Sequence, residues 1–494
     1  MLKVSIYDII MKNDRKVQRI IMKKDYLALM REGKPLTLSE RIFMIITLSI
    51  PAILAQVSSI VMQYIDASMV GRLGANDSAS IGLVSSSTWL FGGLCMAAGT
   101  GFSVLIAQRI GANNTRDART LVKTGLISVI IFSIALLVIS VSISRVLPIL
   151  LGGEKEIQDG AFWYFLIFSL SVPFMQINYT AGSMIQASGN MKVAGMMEII
   201  MCMLDVVFNA LLIFPSGTRV VFGRNIYIIG AGLGIKGAAL GTALAEAVTG
   251  LILLWYLLTQ SESLKIRKNE KSGFSFHELK SSLKIAIPVA IEQIITCSAY
   301  IAFTRIVSPL GTIAIAANSF SITAESLCYM PGYGIAAAAS TIIGQSIGSK
   351  RKDLTKKLGW LSVATGMTVM TLGGVIMFLA APLMIGLLTP DKNIQALGCE
   401  ILRIEAFAEP MYAASIVAAG VFRGAGDTTV PSVLNLVSMW IIRIPLAAFL
   451  ASGYGIQGVW IAMCIELCIR GTLFLILLAK RFCKRADKGV YLTS

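Results

Sequence analysis

The sequence has almost no histidine and little charge. His277 is the only histidine among 494 residues, and charged residues make up 14% of the chain, whereas they form about a quarter of an ordinary soluble protein. A single histidine argues against haem ligation, HExxH zinc chemistry and a Ser-His-Asp triad. The eight cysteines show no metal-binding spacing, and we expect them to be reduced packing residues. We therefore expect neither an enzyme nor a bound cofactor.

Apolar residues, by contrast, are abundant. They form 55% of the chain, and the mean hydropathy is +0.75. Apolar runs of roughly 20 or more residues, the length that crosses about 30 Å of hydrocarbon, recur throughout. We count twelve of them and number them span 1 to span 12. The composition therefore predicts an all-α integral membrane protein.

The chain is also duplicated. The stretch from IPAILAQ at residue 50 to AQRIGANN at residue 107 returns as IPVAIEQ to GQSIGSK, with a constant offset of 237 residues. Pro173 and Pro410 keep the same register, as do Gly189 and Gly426. Each copy holds an even number of spans, so both copies begin on the same side of the membrane. Such repeats are related by a pseudo-two-fold axis along the membrane normal, which predicts twelve transmembrane helices in two six-helix lobes.

The spans and charges divide the chain into five segments. We predict a basic cytoplasmic extension over 1–41, an N-lobe with spans 1–6 over 42–259, a cytoplasmic linker over 260–281, a C-lobe with spans 7–12 over 282–481, and a cytoplasmic tail over 482–494. Most Lys and Arg fall on the side that holds both termini, so the positive-inside rule predicts a multi-pass plasma-membrane protein with cytoplasmic termini. The net charge of +16 thus reflects topology, and we expect no nucleic-acid partner.

The basic extension has two interpretations. Its apolar residues recur at helical spacing between Lys and Arg, which suits a helix lying on an anionic cytoplasmic leaflet and contacting membrane lipid. A solvated basic tail fits equally well. An apolar core followed by a small-residue cleavage site does not occur here, so we do not interpret it as a signal peptide.

The N-lobe carries polar groups inside apolar spans. Asp66 lies in span 1, and Asp205 and Asn209 are four residues apart on one face of span 5. In span 6, the hydroxyl of Thr242 and a backbone carbonyl near Ala238 could face a cation. A carboxylate at membrane depth costs several kcal/mol unless it is partnered. These groups therefore predict a small-cation or proton site, although Asp66 reaching interfacial water and a polar pair joining helices remain alternatives.

The C-lobe does not repeat this set. Phe303 stands opposite Asp66 in the duplication. The C-lobe instead has its own acidic residues within spans, which are Glu292, Glu325, Glu405 and Glu409. Arg305, Arg403 and Arg443 are candidate counter-charges.

Several of these residues are weaker candidates for substrate or cation binding. Glu292 adjoins Gln293, and Glu409 precedes Pro410, where a proline bends a helix and frees a carbonyl. Cation recognition and internal ion pairing are both open for these glutamates. The set of weaker candidates comprises Asn178, Tyr179, Glu292, Gln293, Glu325, Glu405 and Glu409.

Five motifs together resemble one transporter family. IPAILAQ, YIDASMVGRLG, AQRIGANN, SLCYMPGYGIAAAASTIIGQSIG and VAAGVFRGAGDTT are similar to stretches of the multidrug and toxic compound extrusion (MATE) transporters, over about residues 42–480. The resemblance implies a twelve-helix antiporter that alternates between outward-open and inward-open states. It would export organic, often cationic compounds against an inward flow of sodium ions or protons.

The resemblance also implies a cation site in the N-lobe. By position, that site corresponds to Asp66, Asp205, Asn209 and Thr242 with a carbonyl near Ala238. In relatives with two acids in this lobe, the span 5 pair reads Asn then Asp, whereas here Asp205 comes before Asn209. Some relatives carry acids in spans 7 and 10, about one turn after Glu292 and Glu409.

Three functions are compatible with the sequence. We expect a secondary active exporter that works as a monomer on small organic, cationic amphipathic substrates, with sodium or protons as coupling ion. A flippase for a lipid-linked saccharide belongs to the same superfamily, but the acidic residues within the spans favour cationic substrates. A non-transporting receptor or scaffold would make Asp66 and Asp205 dispensable.

Overall fold

The structure is a computed structural model that describes residues 25–221, 224–267 and 273–482, with the side chains of 218–229 outside the description. Most of the predicted N-terminal extension, the middle of the linker and nearly all of the tail therefore lie outside the described residues. The N-lobe spans are Leu38–Gly71, Ala75–Gly111, Thr115–Ile143, Lys155–Ala187, Met191–Ile213 and Ile235–Thr259.

The C-lobe has the same order of helices. Spans 7 to 9 are Phe276–Val307, Thr312–Gly348 and Lys352–Leu388. Span 10 consists of Lys392–Ala406 and Glu409–Gly424, bent by 58° just before Pro410. Spans 11 and 12 lie in one helical stretch, Thr429–Phe482, that Gly455 breaks with φ 57° and ψ −138°. The described residues thus contain the twelve expected spans in two lobes.

Short elements connect the spans. The N-terminal helix Tyr26–Arg31 precedes span 1, and the turn Leu147–Leu150 joins spans 3 and 4. The long loop between spans 5 and 6 contains an antiparallel hairpin of β1 (Pro215–Val221) and β2 (Arg224–Ala231). A 3₁₀ turn, Ser308–Leu310, joins spans 7 and 8. Wider π-type turns occupy Ser438–Arg443 and Leu478–Phe482.

The duplication is repeated in the backbone conformation. Left-handed φ angles occur at equivalent turns of both lobes, and at Asn113 (57°) and Lys350 (59°) the two values are nearly equal. The break before span 6, at Gly234 (φ 56°), matches the break at Gly455 before span 12. Other pairs are Gly74 with Gly311 and Gly189 with Gly426. The two copies therefore fold alike at the turns as well as in the spans.

The two lobes meet in a symmetric contact at one end. Gln108 donates through Nε2 to the carbonyl of Gly424 at 3.3 Å, and Gln345 donates to the carbonyl of Ala187 at 2.9 Å. Each hydrogen bond is the duplicate of the other, so the pseudo-two-fold axis passes between them. We call the end of the molecule that holds this contact the inner end. Both ends of the described chain lie there, and the charge pattern predicts that it is cytoplasmic. The opposite end is the outer end.

Further cross-lobe contacts close the inner end. Arg109 of the N-lobe pairs with Glu278 of the C-lobe at 3.1 Å. Ser282 packs on Gly101, where an added Cβ would come within 2.5 Å of the hydroxyl oxygen. The side chains of Tyr64 and Thr323 approach each other closer to the outer end, where span 1 meets span 8.

Candidate cation site and acidic clusters

Asp66, Asp205 and Asn209 meet inside the N-lobe. The amide nitrogen of Asn209 donates to Asp66 Oδ1 at 2.9 Å and to Asp205 Oδ2 at 3.1 Å. The two carboxyl groups also lie within hydrogen-bonding range of each other. Carboxylates this close repel each other unless a proton or a cation lies between them. The structure thus brings together three of the residues that the sequence predicts.

Span 6 completes the cluster. The Thr242 hydroxyl donates to the Ala238 carbonyl at 3.4 Å and lies beside the Asp205 carboxyl group. A Cβ on Gly241 would overlap Asn209 Oδ1, so only glycine allows span 6 this close to the amide. We call Asp66, Asp205, Asn209, Thr242 and Ala238 the N-lobe cluster.

Two oxygens of the N-lobe cluster have no hydrogen-bond partner. Asp205 and Asn209 are 0% and 1% exposed, and Asp205 Oδ1 and Asn209 Oδ1 are both unpaired. A buried polar atom without a partner costs about 1–3 kcal/mol. Carboxylate and amide oxygens are also the ligands that hard cations prefer. The donor set therefore fits a small cation or a proton.

The sequence analysis missed two further acids in the N-lobe. Glu246 of span 6 accepts from the Asn178 amide at 2.5 Å, and Glu198 of span 5 accepts from the Ser59 hydroxyl at 3.2 Å. Tyr179, next to Asn178 on span 4, is 40% exposed. Glu198 and Glu246 showed the same signal as Asp205, a carboxylate in an apolar span.

The N-lobe spans carry few positive charges to balance these acids. Among the described N-lobe residues, Lys and Arg lie within three turns of a span end, as Lys123 and Arg109 do, or in the connections. The carboxyl groups of Asp66, Asp205, Glu198 and Glu246 share the lobe interior without an adjacent base. The lobe interior is consequently a place where positive charge is stabilised.

Glu292 and Gln293 have different surroundings. The Glu292 carboxylate accepts from Ser432 and Asn435, both at 2.7 Å, and lies 3.7 Å from Arg423. These partners make Glu292 part of an internal polar network. The Gln293 side chain packs across the lobe boundary on Gly93, where an added Cβ would lie 3.0 Å from Gln293 Oε1.

A second acidic cluster lies inside the C-lobe. Glu325 of span 8 and Glu405 and Glu409 of span 10 are 5%, 1% and 0% exposed. Apart from the Cys328 thiol beside Glu409, the four carboxyl oxygens of Glu405 and Glu409 have no hydrogen-bond partner. Burial of this kind is tolerated only where a proton or a bound cation neutralises the group.

The expected counter-charges do not pair with this cluster. Arg443 binds Glu466, which the sequence analysis did not single out, with Nε at 2.9 Å and Nη2 at 2.6 Å. Arg470 approaches the other oxygen of Glu466 at 3.3 Å. Arg403 donates to the Phe378 carbonyl, and Arg305 is exposed. Among the described residues, these arginines form no salt bridge with the buried glutamates of this cluster. Arg443 contacts Glu466 on span 12 and acts on Glu405 only at longer range.

Comparison with known proteins identifies relatives along almost the whole chain. The sequence model of the MatE family matches residues 51–211 and 288–449. The probable multidrug resistance protein NorM of Thermotoga maritima is 27% identical over 454 residues, covering 90% of this chain and 93% of that protein. The NorM of Halalkalibacterium halodurans is 26% identical over 443 residues, covering 86% of this chain and 92% of that protein.

The fold agrees with solved structures. An outward-facing multidrug resistance MATE family transporter of the MOP superfamily superposes with a TM-score of 0.84 at 19% identity, over 94% of this chain and 99% of that one. A MATE crystallised in complex with MaL6 superposes equally well, with 0.84 at 19% identity, over 94% and 100% of the two chains. The matched repeats and the two-lobe fold place this chain in the MatE family, the multidrug and toxic compound extrusion transporters.

Proposed function

We propose that the protein is a secondary active antiporter that exports organic, cationic amphipathic compounds from the cytoplasm in exchange for sodium ions or protons. Family membership and the multidrug resistance relatives support efflux. The N-lobe cluster supports cation coupling, and its two unpaired, buried oxygens are the observation on which the proposal depends. The inner end is cytoplasmic in this proposal.

The cation binds in the N-lobe cluster. Asp66 on span 1 and Asp205 on span 5 supply negative charge, and Asn209 and Thr242 supply neutral oxygens. A bound cation removes the repulsion between the two carboxylates and draws span 1 toward span 5. Span 1 also packs on span 8 of the C-lobe, where Gly334 lies against Ile53. Cation binding therefore acts on a helix that both lobes contact.

The organic substrate binds between the lobes. The acids of both lobe interiors favour a positively charged substrate over an anionic one. Tyr179 follows Asn178, the partner of Glu246, and offers an exposed aromatic face within electrostatic range of that carboxylate, a combination that suits organic cations. In the C-lobe, Glu405 and Glu409 are candidates for neutralisation by substrate or coupling ion. Cation and substrate then exchange because each favours a different state of the same two lobes.

The test is efflux of a fluorescent organic cation from cells, with sodium and pH gradients imposed separately. Asp66→Asn and Asp205→Asn keep side-chain shape and remove charge, so we expect efflux to fall at least about tenfold, in line with the several kcal/mol associated with a charged group at membrane depth. Asp159→Asn is the matched control, because Asp159 is exposed near the outer end of span 4. We expect its efflux to equal that of the parent.

The outcomes separate the alternatives. Dependence on one gradient, lost in both variants, supports the antiporter and identifies the ion. Efflux that both variants retain would exclude the N-lobe cluster as the coupling site. If the parent exports no organic cation, a lipid-scrambling assay with the purified protein tests the flippase, and failure there leaves a receptor or scaffold.

A further inference from the structure

The N-terminal helix is anchored in the C-lobe. Its apolar residues Tyr26, Leu27 and Met30 are 6%, 5% and 0% exposed, and Leu36 after the helix is 3% exposed. They belong to one core with residues of spans 8 and 9, including Ile343, and with residues near the start of span 1. The apolar face of this helix therefore packs on protein. For residues 25–36, the expectation of a helix lying on the lipid surface is wrong.

The same helix also contacts the N-lobe. The Leu27 Cδ1 methyl packs on Gly189, where an added Cβ would lie 2.6 Å away. Gly189 forms the turn between spans 4 and 5 and has φ +95°. The helix thus touches both lobes at the inner end.

The contact between Leu27 and Gly189 lies next to the contact between the inner ends of spans 4 and 8, which we call the seam. Thr341 of span 8 donates to the Gln186 carbonyl at 3.3 Å, and Gln345 donates to the Ala187 carbonyl at 2.9 Å. Gln345 Nε2 would also lie 3.6 Å from a Cβ on Gly189. The segment after the helix is held as well, since Arg351 donates to the Lys34 carbonyl at 3.3 Å.

We propose that residues 26–36 form an inner strap that holds the inner end closed and that must release Gly189 whenever the inner end opens. Separation of spans 4 and 8 breaks the Gln345 and Thr341 hydrogen bonds. The Leu27 contact breaks in the same movement, because spans 8 and 9 and the hydrogen bond from Arg351 hold the strap on the C-lobe. The strap thereby adds stability to the inner-closed state alone. This inference concerns which end of the molecule opens, and it holds whatever the protein carries.

The sequence contains a natural comparison for Leu27. At the repeat offset of 237, Leu27 corresponds to Leu264 in the linker. Leu264 is also fully buried at the inner end. It follows span 6 in the chain and packs in the core of the N-lobe. Truncation of Leu264 therefore removes a similar buried side chain without touching the contact between Leu27 and Gly189.

The two equivalent glycines provide a second comparison. Gly189 and Gly426 both have positive φ, +95° and +79°, so alanine strains the backbone at each position. Only at Gly189 does the new Cβ collide with the strap, since the nearest atom to a Cβ on Gly426 is Gln108 Nε2 at 3.5 Å. The difference between the two alanine variants isolates the strap contact.

The experiment measures opening of the inner end in the full-length protein in proteoliposomes. Thr341→Cys places a thiol at the seam, at a position 5% exposed, and its labelling by a permeant maleimide is followed by mass spectrometry of that peptide. We expect Leu27→Ala and Gly189→Ala to label roughly tenfold faster than the reporter alone. Leu264→Ala and Gly426→Ala should label close to the reporter rate. Melting curves of all variants check that they fold.

The results decide the inference independently of transport. Equal labelling rates in Gly189→Ala and Gly426→Ala would overturn the strap, as would an unchanged rate in Leu27→Ala. A further check is the double variant Leu27→Ala/Gly189→Ala, which should label no faster than Leu27→Ala because the contact is already lost. Because labelling needs no substrate, failure of the strap and failure of the antiporter proposal are distinguishable.

Discussion

Replacing Glu466 by glutamine should destabilise the C-lobe. Glu466 is 0% exposed and is bound by Arg443 at 2.6 Å and by Arg470 at 3.3 Å. Ser438 donates a further hydrogen bond to it. One carboxylate thus balances two buried guanidinium groups. The amide keeps the shape of the side chain and removes the charge that both arginines need.

The size of the stability loss in Glu466→Gln follows from these contacts. Two unit charges about 4 Å apart attract by about 4 kcal/mol at an effective dielectric constant of 20. Loss of one partner leaves the remaining charges buried, which typically costs about 3–5 kcal/mol. We take the lower end of this range, about 3 kcal/mol. For a lobe of roughly 200 residues this corresponds to a fall in melting temperature of about 6–12 °C.

The assay is a melting curve of the purified protein at a fixed scan rate, because membrane proteins often unfold irreversibly. Glu400→Gln is the control, since Glu400 is exposed in the same lobe and its contact with Gln457 can survive as a hydrogen bond. The triple variant Arg443→Met/Glu466→Leu/Arg470→Met removes all three charges and should recover most of the loss. A Glu466→Gln protein that melts within about 2 °C of the parent would refute the reasoning.

Two further predictions concern the helix contacts. Gly241→Ala should abolish cation-dependent efflux, because the new Cβ displaces Asn209. Gly237→Ala, one turn away and packed on backbone, should lower thermal stability but leave the dependence of efflux on the driving gradient unchanged. Equal loss of gradient dependence in both variants would contradict this expectation. Charge reversal at the inner end, Arg109→Glu, should speed labelling of the seam, and the double exchange with Glu278→Arg should restore the parent rate. A double exchange that labels as fast as Arg109→Glu would exclude this ion pair as a closing contact.

The sequence predicts the scaffold well because the scaffold repeats. Apolar length defines the spans, and the constant offset carries the turns at Asn113 and Lys350 into the same conformation. The pairing of Asp205 with Asn209 was also predictable, since four residues make one helical turn. Their contact with Asp66 was not predictable from spacing alone, because it depends on how closely spans 1 and 5 pack.

Two of the three remaining differences between the sequence-based expectations and the structure arise from tertiary contacts. Glu198 and Glu246 carried a readable signal, a charge in an apolar span, and the sequence analysis missed them. The partner of Arg443 was harder, because Glu466 lies on a different span and nothing in the spacing relates the two. The N-terminal helix looked amphipathic and basic, which suits lipid, and the seam between the lobes that receives it exists only after folding.

The uneven charge of the lobes has a consequence for membrane voltage. Among the described residues, the N-lobe interior holds four carboxyl groups without an adjacent base, while the C-lobe balances one of its buried glutamates, Glu466, with two arginines. In the proposed antiporter, a cation that binds in the N-lobe cluster thus changes the net charge of the N-lobe. A charge that crosses a potential of 100 mV contributes about 2.3 kcal/mol. In the proposed antiporter, the membrane potential therefore acts on the step in which the loaded N-lobe cluster changes its access from one side of the membrane to the other.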